Sequence, residues 1–134
     1  MTATLHHVSL PVTDLARSRA FYHDVLGLEE IARPPFDFAG AWYALGASQL
    51  HLIVHDAPTL RTRGIDSHDV HVALRVPSFR ETLARLESLG YASDAREDAQ
   101  RLRVSRAGTA GFPQIFLLDP DRHVIELNAA RADS

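Results

Sequence analysis

The strongest constraint on the fold of this chain is an internal repeat of a strand-like segment that carries a histidine. His7 opens the run HVSLPV and His71 opens the matching run HVALRV, with apolar residues at alternate positions in both. Each run is followed by a helix-forming stretch and then by a glycine, Gly27 in the first copy and Gly90 in the second. The chain is therefore predicted to contain two copies of one strand–helix unit.

Helix and strand signals follow each histidine run in the same order. Thr13 or Asp14 can cap the first helix, and Ser78 with Glu81 forms a capping box for the second. Strand-like runs separated by turns follow each helix, three in the first copy and four in the second, and the order that the two copies share is β-α-β-β-β. The predicted strands after the helices are Leu28–Ala32, Ala41–Leu45 and Gln49–Val54 in the first copy, and Tyr91–Ala95, Arg101–Arg106, Gln114–Leu118 and His123–Asn128 in the second.

These patterns predict an α+β fold in which a single domain, residues 1–134, contains two βαβββ modules. The first module is expected to cover residues 1 to about 56, a linker about 57–67, and the second module about 68–134. Within the second module, the segment Asp119–Arg122 predicts a type I turn between two strands.

The composition excludes several classes of function. Cysteine is absent, which rules out disulfides and thiol catalysis and is typical of a cytoplasmic protein. The net charge is −3 and no basic run is present, so neither nucleic acid nor a membrane surface is expected as a partner. No apolar run is long enough to cross a bilayer. A small-molecule substrate is expected as the partner on other grounds, given below.

The alternation within the strands places four polar residues on faces turned away from the helices. His7 and His71 lie on the polar sides of the two first strands, whereas the valines and leucines beside them point the other way. His51 in QLHLI and Glu126 in VIELN hold the same place in the two last strands. Imidazoles and a carboxylate are the ligands of a divalent first-row metal, and a carboxylate among apolar neighbours needs a partner.

Other roles for such residues are common. A single histidine in a strand is usually structural, and alternation also fits an antiparallel sheet with one solvated face. Four equivalent positions in two repeats favour a metal site. Trp42 and Tyr43 are predicted to line a substrate pocket, although large aromatic residues also form cores. The histidines without an equivalent are predicted to lie in loops or on the surface; they are His6, His23, His55, His68 and His123.

Three stretches resemble the vicinal oxygen chelate superfamily, which includes glyoxalase I, fosfomycin-modifying enzymes, methylmalonyl-CoA epimerase, extradiol dioxygenases and bleomycin-binding proteins. LHHVSLPVTDLARSRAFYHDVLGL resembles its opening signature and QIFLLDPDRHVIEL its closing signature. The middle stretch RPPFDFAGAWYALGASQLHLI looks most like glyoxalase I-like proteins. The resemblance implies paired βαβββ modules, a cupped sheet, and one metal held by His7, His51, His71 and Glu126.

The resemblance also implies a reaction type. It suggests a metal-dependent lyase or isomerase of glyoxalase I type, with Glu126 as the catalytic base and one divalent ion (Ni, Zn, Co, Mn or Fe) per site. Glyoxalase I carries glutamate where this chain has His51, so His51 is either a fourth ligand or a substrate contact. Relatives usually have glycine where this chain has Arg122.

Other activities of the superfamily stay open as alternatives. These are a fosfomycin-type thiol transferase or hydrolase, an Fe(II) dioxygenase that uses His7, His71 and Glu126, and a non-catalytic binding or bleomycin resistance protein.

The assembly is expected to be a homodimer with sites at the subunit interface. Only a short stretch of chain separates His51 from His71, which resembles family members whose modules pair between subunits. A short connection limits how far the second module can fold back on the first. Closed two-fold dimers are also the commonest oligomers. The alternative is a site built within one chain.

Overall fold

The computed structural model describes residues 1–55 and 61–133, which form two compact units, Met1–Leu60 and Arg61–Ser134. The predicted pair of modules is confirmed. The linker that was expected at about 57–67 lies partly outside the described residues, and residues 61–67 belong to the second unit. No helix in the described ranges is long and apolar enough to span a membrane.

The first unit contains one four-stranded sheet and one helical segment. Strand β1 pairs in parallel with β4, which pairs antiparallel with β3, and β3 pairs antiparallel with β2. The elements are β1 (His7–Val12), helix α1 (Leu15–Arg19) continued by a π-helix (Ala20–Val25), β2 (Glu30–Ile31), β3 (Gly40–Leu45) and β4 (Ser48–Val54).

The second unit repeats this arrangement. Its sheet order is β5-β8-β7-β6, with β5 and β8 parallel and the other neighbours antiparallel. The elements are β5 (His71–Arg75), α2 (Phe79–Ser88), a short 3-10 helix (Asp98–Gln100), β6 (Arg103–Ser105), β7 (Gln114–Leu118) and β8 (Val124–Asn128). Both units are thus βαβββ modules, as the repeat predicts.

One predicted strand, Tyr91–Ala95, is wrong. This segment makes only an isolated bridge, between Ala92 and Arg101. Ser93 and Asp94 favour turns because their side chains compete for backbone hydrogen bonds, and the chain turns there before the short 3-10 helix.

The predicted helix ends are confirmed. Asp14 caps the first helix by accepting a hydrogen bond from the Arg17 N–H at 3.1 Å, and the Ser78 hydroxyl accepts one from the Glu81 N–H at 3.1 Å. Gly27 and Gly90 follow the helices with φ of 72° and 94°, the left-handed conformation that glycine adopts without steric cost.

The two helical segments differ by one residue. The first copy has one more residue between Leu15 and Gly27 than the second copy has between Phe79 and Gly90. The π-helix Ala20–Val25 accommodates such an insertion, because each of its turns holds more residues than an α-helical turn. Phe21 and Tyr22 within it are buried.

Each unit has an apolar core between its helix and its sheet. In the strands, Leu50 and Leu52 are buried on the helix side of β4, as the alternation predicts. In α2, Phe79, Leu83 and Leu86 recur at helical spacing and are buried. Burial of large apolar side chains is the main favourable contribution to folding of both units.

The segment Asp119–Arg122 forms the predicted turn, with an unusual last residue. The Arg122 N–H donates to the Asp119 carbonyl at 2.9 Å, and Arg122 has a φ of 67°. Its guanidinium bonds both Asp98 carboxylate oxygens, at 2.7 and 3.2 Å, and holds the pKa of Asp98 below its usual range. It also donates to the Arg63 carbonyl at 3.0 Å. Side-chain bonds therefore hold a residue whose backbone would suit glycine better.

We expect Arg122→Ala to be less stable than Arg122→Gly by about 1 kcal/mol, because both lose the side-chain bonds but only alanine retains the cost of the left-handed conformation. Urea unfolding of the two variants measures this difference. At Arg103, in strand β6, we expect the reverse order for alanine and glycine. Equal stability of the two Arg122 variants would contradict the backbone argument.

Candidate metal and substrate site

The parallel strand pairs place the four predicted ligands at equivalent register positions. In the first unit His7 lies opposite Gln49, two residues before His51. In the second unit His71 lies opposite Val124, two residues before Glu126. Each unit therefore brings two of the four residues together, His7 with His51 and His71 with Glu126.

In the second unit, a ring nitrogen of His71 faces a carboxylate oxygen of Glu126. His71 Nδ1 lies 2.7 Å from the Asp69 carbonyl oxygen, which can only accept, so Nδ1 carries the ring proton. His71 Nε2 lies 3.4 Å from Glu126 Oε1. With Nδ1 protonated, a neutral ring leaves two acceptors facing each other. A second proton or a metal cation would satisfy both, and a backbone carbonyl behind the ring is typical of metal-binding histidines.

Both oxygens of the Glu126 carboxylate accept hydrogen bonds from amide groups. Glu126 is only 4% exposed. Gln114 Nε2 donates to Oε1 at 3.1 Å and Asn128 Nδ2 donates to Oε2 at 2.5 Å. Arg75 Nε donates to Asn128 Oδ1 at 2.6 Å, and its guanidinium lies 5.0 Å from the Phe112 ring centre. These bonds hold the carboxylate in one orientation, with Oε1 towards His71.

Arg75 fixes which end of the Asn128 amide faces Glu126. Its guanidinium can only donate, so it selects the amide oxygen and leaves the NH₂ group for the carboxylate. The reverse orientation would place two oxygens against each other. Gln114, Asn128 and Arg75 are not among the site residues predicted from the sequence. Strand alternation would have found Asn128 and Arg75, which share the faces of Glu126 and His71 respectively.

The first unit holds its histidine pair in a stack of rings. The His51 ring lies between two others, 4.1 Å from that of His7 at 15° and 3.9 Å from that of Trp42 at 2°. His51 is 7% exposed and its Nε2 donates to Gln49 Oε1 at 2.8 Å, which leaves Nδ1 as an acceptor. His7 is exposed and its Nδ1 shares a hydrogen bond with His6 Nδ1 at 2.9 Å.

Burial, followed by the neighbouring His7, His6 and Arg33, lowers the pKa of His51. A neutral imidazole is the form that binds metals and accepts hydrogen bonds. The donors of both pairs therefore fit a divalent ion chemically. In the stack, however, the ring planes of His7 and His51 are nearly parallel, so their lone pairs cannot meet at one ion until one ring turns. Of the two roles predicted for His51, this geometry favours a substrate contact over a fourth ligand.

The two aromatic residues predicted to line a pocket lie on opposite faces of β3. Trp42 is half-buried on the side of His51 and is its register partner. Tyr43 is fully buried on the other side, with its ring 6.1 Å from that of Tyr22, and burial raises its pKa to about 12. Trp42 is therefore placed to contact a molecule beside His51, whereas Tyr43 packs in the core.

Within residues 1–55 and 61–133, no three histidine, aspartate or glutamate side chains are grouped closely enough to hold an ion. The pairs that the strand register brings together are His7 with His51 and His71 with Glu126.

Comparison with known proteins supports the interpretation of the repeat. The family model described as Glyoxalase/Bleomycin resistance protein/Dioxygenase superfamily matches residues 4–127. Glyoxylase I 4 of Arabidopsis thaliana is 30% identical over 127 residues, which are 92% of this chain and 69% of the plant protein.

Solved structures agree on the fold. Lactoylglutathione lyase from Agrobacterium tumefaciens superposes with a TM-score of 0.66 and 19% identity, covering 96% of this chain and 94% of that one. A mutant of the fosfomycin resistance protein FosX from Listeria monocytogenes, complexed with Mn(II) and 1S,2S-dihydroxypropylphosphonic acid, gives a TM-score of 0.68 and 22% identity. That match covers 100% of this chain and 95% of FosX.

We expect Asn128→Ala to lower the free energy of unfolding by about 1–3 kcal/mol, because a buried oxygen of Glu126 loses its donor. Arg75→Ala should lower the free energy of unfolding less in the Asn128→Ala protein than in the wild type. The difference between the two effects, which is the coupling energy, should be at least about 0.5 kcal/mol. Urea unfolding of the four proteins in this cycle measures the coupling.

Arg106→Ala is the matched control for this cycle. Its guanidinium also lies over a ring, 5.4 Å from the centre of Phe79, but no bond links it to Glu126. Its effect should add to that of Asn128→Ala. Additive effects of Arg75→Ala and Asn128→Ala would contradict the proposed network.

Proposed function

Since this chain belongs to the glyoxalase/bleomycin resistance protein/dioxygenase superfamily, we propose that it is a metal-dependent enzyme of glyoxalase type that acts on a small substrate with two neighbouring oxygens. The ligands that we propose are His7, His71 and Glu126, with His51 as a fourth ligand or a substrate contact. The reaction would be a lyase or isomerase step.

One observation carries this proposal. His71 Nε2 and Glu126 Oε1 face each other at 3.4 Å, while the other nitrogen of His71 and the other oxygen of Glu126 are already engaged by Asp69 and Asn128. These groups, together with the Gln114 amide that also donates to Oε1, orient both atoms to the same place, where Oε1 keeps a second lone pair that a cation could accept. This supports a divalent ion at that point.

In the proposed reaction, Glu126, His51 and Trp42 would each have a separate role. A bound divalent ion would act as a Lewis acid towards the two substrate oxygens. Glu126 would accept the proton from the carbon next to a substrate carbonyl, because its carboxylate is held rigidly by Gln114 and Asn128. His51 or Glu126 would return a proton to the neighbouring carbon. Half-buried Trp42 would exclude water from one side.

We also propose that the protein works as a homodimer in which each site takes one pair from each chain. Each unit supplies two of the four donors, and His51 and His71 are separated by few residues. A closed two-fold assembly would complete two equivalent sites.

We expect protein stripped with a chelator to bind about one Mn²⁺, Ni²⁺ or Zn²⁺ per chain. His7→Ala, His71→Ala and Glu126→Ala should each weaken binding by ~100-fold or more, since loss of even a supporting group commonly costs about 10–100-fold. Calorimetry measures affinity and stoichiometry. His23→Ala, at an exposed position of the π-helix, is the control and should bind as the wild type does. Unchanged binding in all three variants would refute the ligand set.

The same titration separates the two roles of His51. As a ligand, its loss in His51→Ala would weaken metal binding as His7→Ala does, while His51→Glu would retain the ion. As a substrate contact, His51→Ala would bind metal like the wild type and raise KM for the substrate that a panel identifies. The stack with Trp42 favours the second result.

Heterodimers test the shared site. We expect a purified dimer of one His7→Ala chain and one Glu126→Ala chain to bind one ion, because one of its two sites then contains only intact residues. The control pairs Glu126→Ala with His71→Ala, which lie in the same unit and should not complement. Absence of metal in the first heterodimer, or a strictly monomeric protein at micromolar concentration, would refute the shared site.

A further inference from the structure

A row of aromatic rings leads from the loop after β2 to His51. Phe36 and Phe38 stack with ring centres 5.0 Å apart, and Phe36 lies 6.1 Å from Trp42. Trp42 in turn stacks on His51 at 3.9 Å. We refer to Phe38, Phe36 and Trp42 as the aromatic strip. Its inner end, Trp42, contacts His51, which we propose as a fourth ligand or a substrate contact.

The outer rings of the aromatic strip are not covered. Phe36 and Phe38 are 45% and 42% exposed. Large exposed apolar groups that lie together, rather than singly, mark surfaces that bind something. Because Trp42 stacks on His51, a planar group that contacts Phe36 and Trp42 would lie one ring away from His51.

Arg33 adds a positive charge to the strip. Its guanidinium carbon lies 4.8 Å from the Phe36 ring centre and 5.0 Å from that of Phe38, and Nη2 donates to the Phe38 carbonyl at 2.8 Å. Its buried Nε has no hydrogen-bond partner, and no carboxylate pairs with Arg33, within the described residues.

Gly40 makes room for this guanidinium. A Cβ atom at Gly40 would lie 3.0 Å from Arg33 Nη2 and 2.3 Å from the Leu52 carbonyl oxygen. Any side chain there would displace Arg33 or the neighbouring strand. The Leu52 carbonyl requires glycine at this position, and the missing side chain also leaves space for the Arg33 guanidinium.

We propose that the aromatic strip and Arg33 select a substrate that carries an aromatic ring and a negative charge, such as an aromatic 2-hydroxy or 2-oxo acid. A planar ring gains stacking energy on Phe36 and Trp42 that an aliphatic group does not. An anion would supply the guanidinium with the counter-charge that the described residues do not provide. Two neighbouring oxygens on the same molecule fit the proposed function, on which this inference rests.

Trp42 is the only tryptophan of the chain, so its fluorescence reports directly on the strip. We would titrate the protein, with Mn²⁺ and with a chelator, with four probes. Mandelate has ring and charge, hexahydromandelate has charge and an aliphatic ring, lactate has charge alone, and styrene glycol has the aromatic ring alone. Mandelate should bind at least about tenfold more tightly than lactate, and more tightly than hexahydromandelate.

Two variants separate ring recognition from charge recognition. Arg33→Gln should weaken mandelate about tenfold and leave styrene glycol unchanged, whereas Arg80→Gln, on the exposed face of α2, should change neither. Phe36→Leu should weaken mandelate and styrene glycol several-fold and leave lactate unchanged, whereas Phe36→Tyr should retain both. Circular dichroism of Arg33→Gln checks that the fold is intact.

The outcomes also separate this inference from the proposed metal function. Ring and charge preferences that persist in chelator support the strip even if the wild type binds no metal. If the wild type binds metal but binds mandelate, hexahydromandelate and lactate with equal affinity, the proposed role of the aromatic strip is wrong and the proposed metal site is unaffected. Equal mandelate affinity in Arg33→Gln and wild type would overturn the role of Arg33.

Discussion

Parallel pairing of the first and last strands of each unit is the interaction on which the candidate site depends. It fixes Ser9 opposite His51 and Ala73 opposite Glu126, so that each histidine of a first strand lies diagonally next to the polar residue of the last. Because side chains alternate along a strand, a shift of one residue would turn Glu126 into the helix-side core. The apolar residues between the site residues prevent that shift, since they must face the helix.

A buried carboxylate in such a strand is costly unless other groups compensate for its lost hydration. In the second unit Gln114 and Asn128 provide two donors, and the exposed Arg75 anchors Asn128 from the edge strand. The network uses residues that the register already brings together, because Gln114 and Arg75 both lie opposite Asn128. The stability of the last strand and the orientation of the candidate base therefore depend on the same hydrogen bonds.

The sequence predicted the features that follow from periodicity. The two βαβββ units, the helix caps and the glycine stops are confirmed, and the resemblance to the superfamily is confirmed by the family model. Periodicity assigns a residue to a face but not to a rotamer, so the stack of His51 on Trp42 could not be predicted. For the same reason the orientation of the Asn128 amide was not predicted. The missing strand at Tyr91–Ala95 reflects turn-forming residues that outweighed a weak apolar pattern.

The two units use one frame for different chemistry. Trp42 is the register partner of His51, and Phe116 is the register partner of Glu126 at the equivalent place in the second sheet. In the second unit the Phe116 ring contacts the His71 ring edge-on, with ring centres 5.8 Å apart. The Glu126 carboxylate there accepts hydrogen bonds from amide groups. In the first unit the Trp42 ring stacks flat on the His51 ring and lies next to the Phe36 ring. The same strand register thus surrounds the polar residue of β8 with hydrogen-bond donors and that of β4 with aromatic rings.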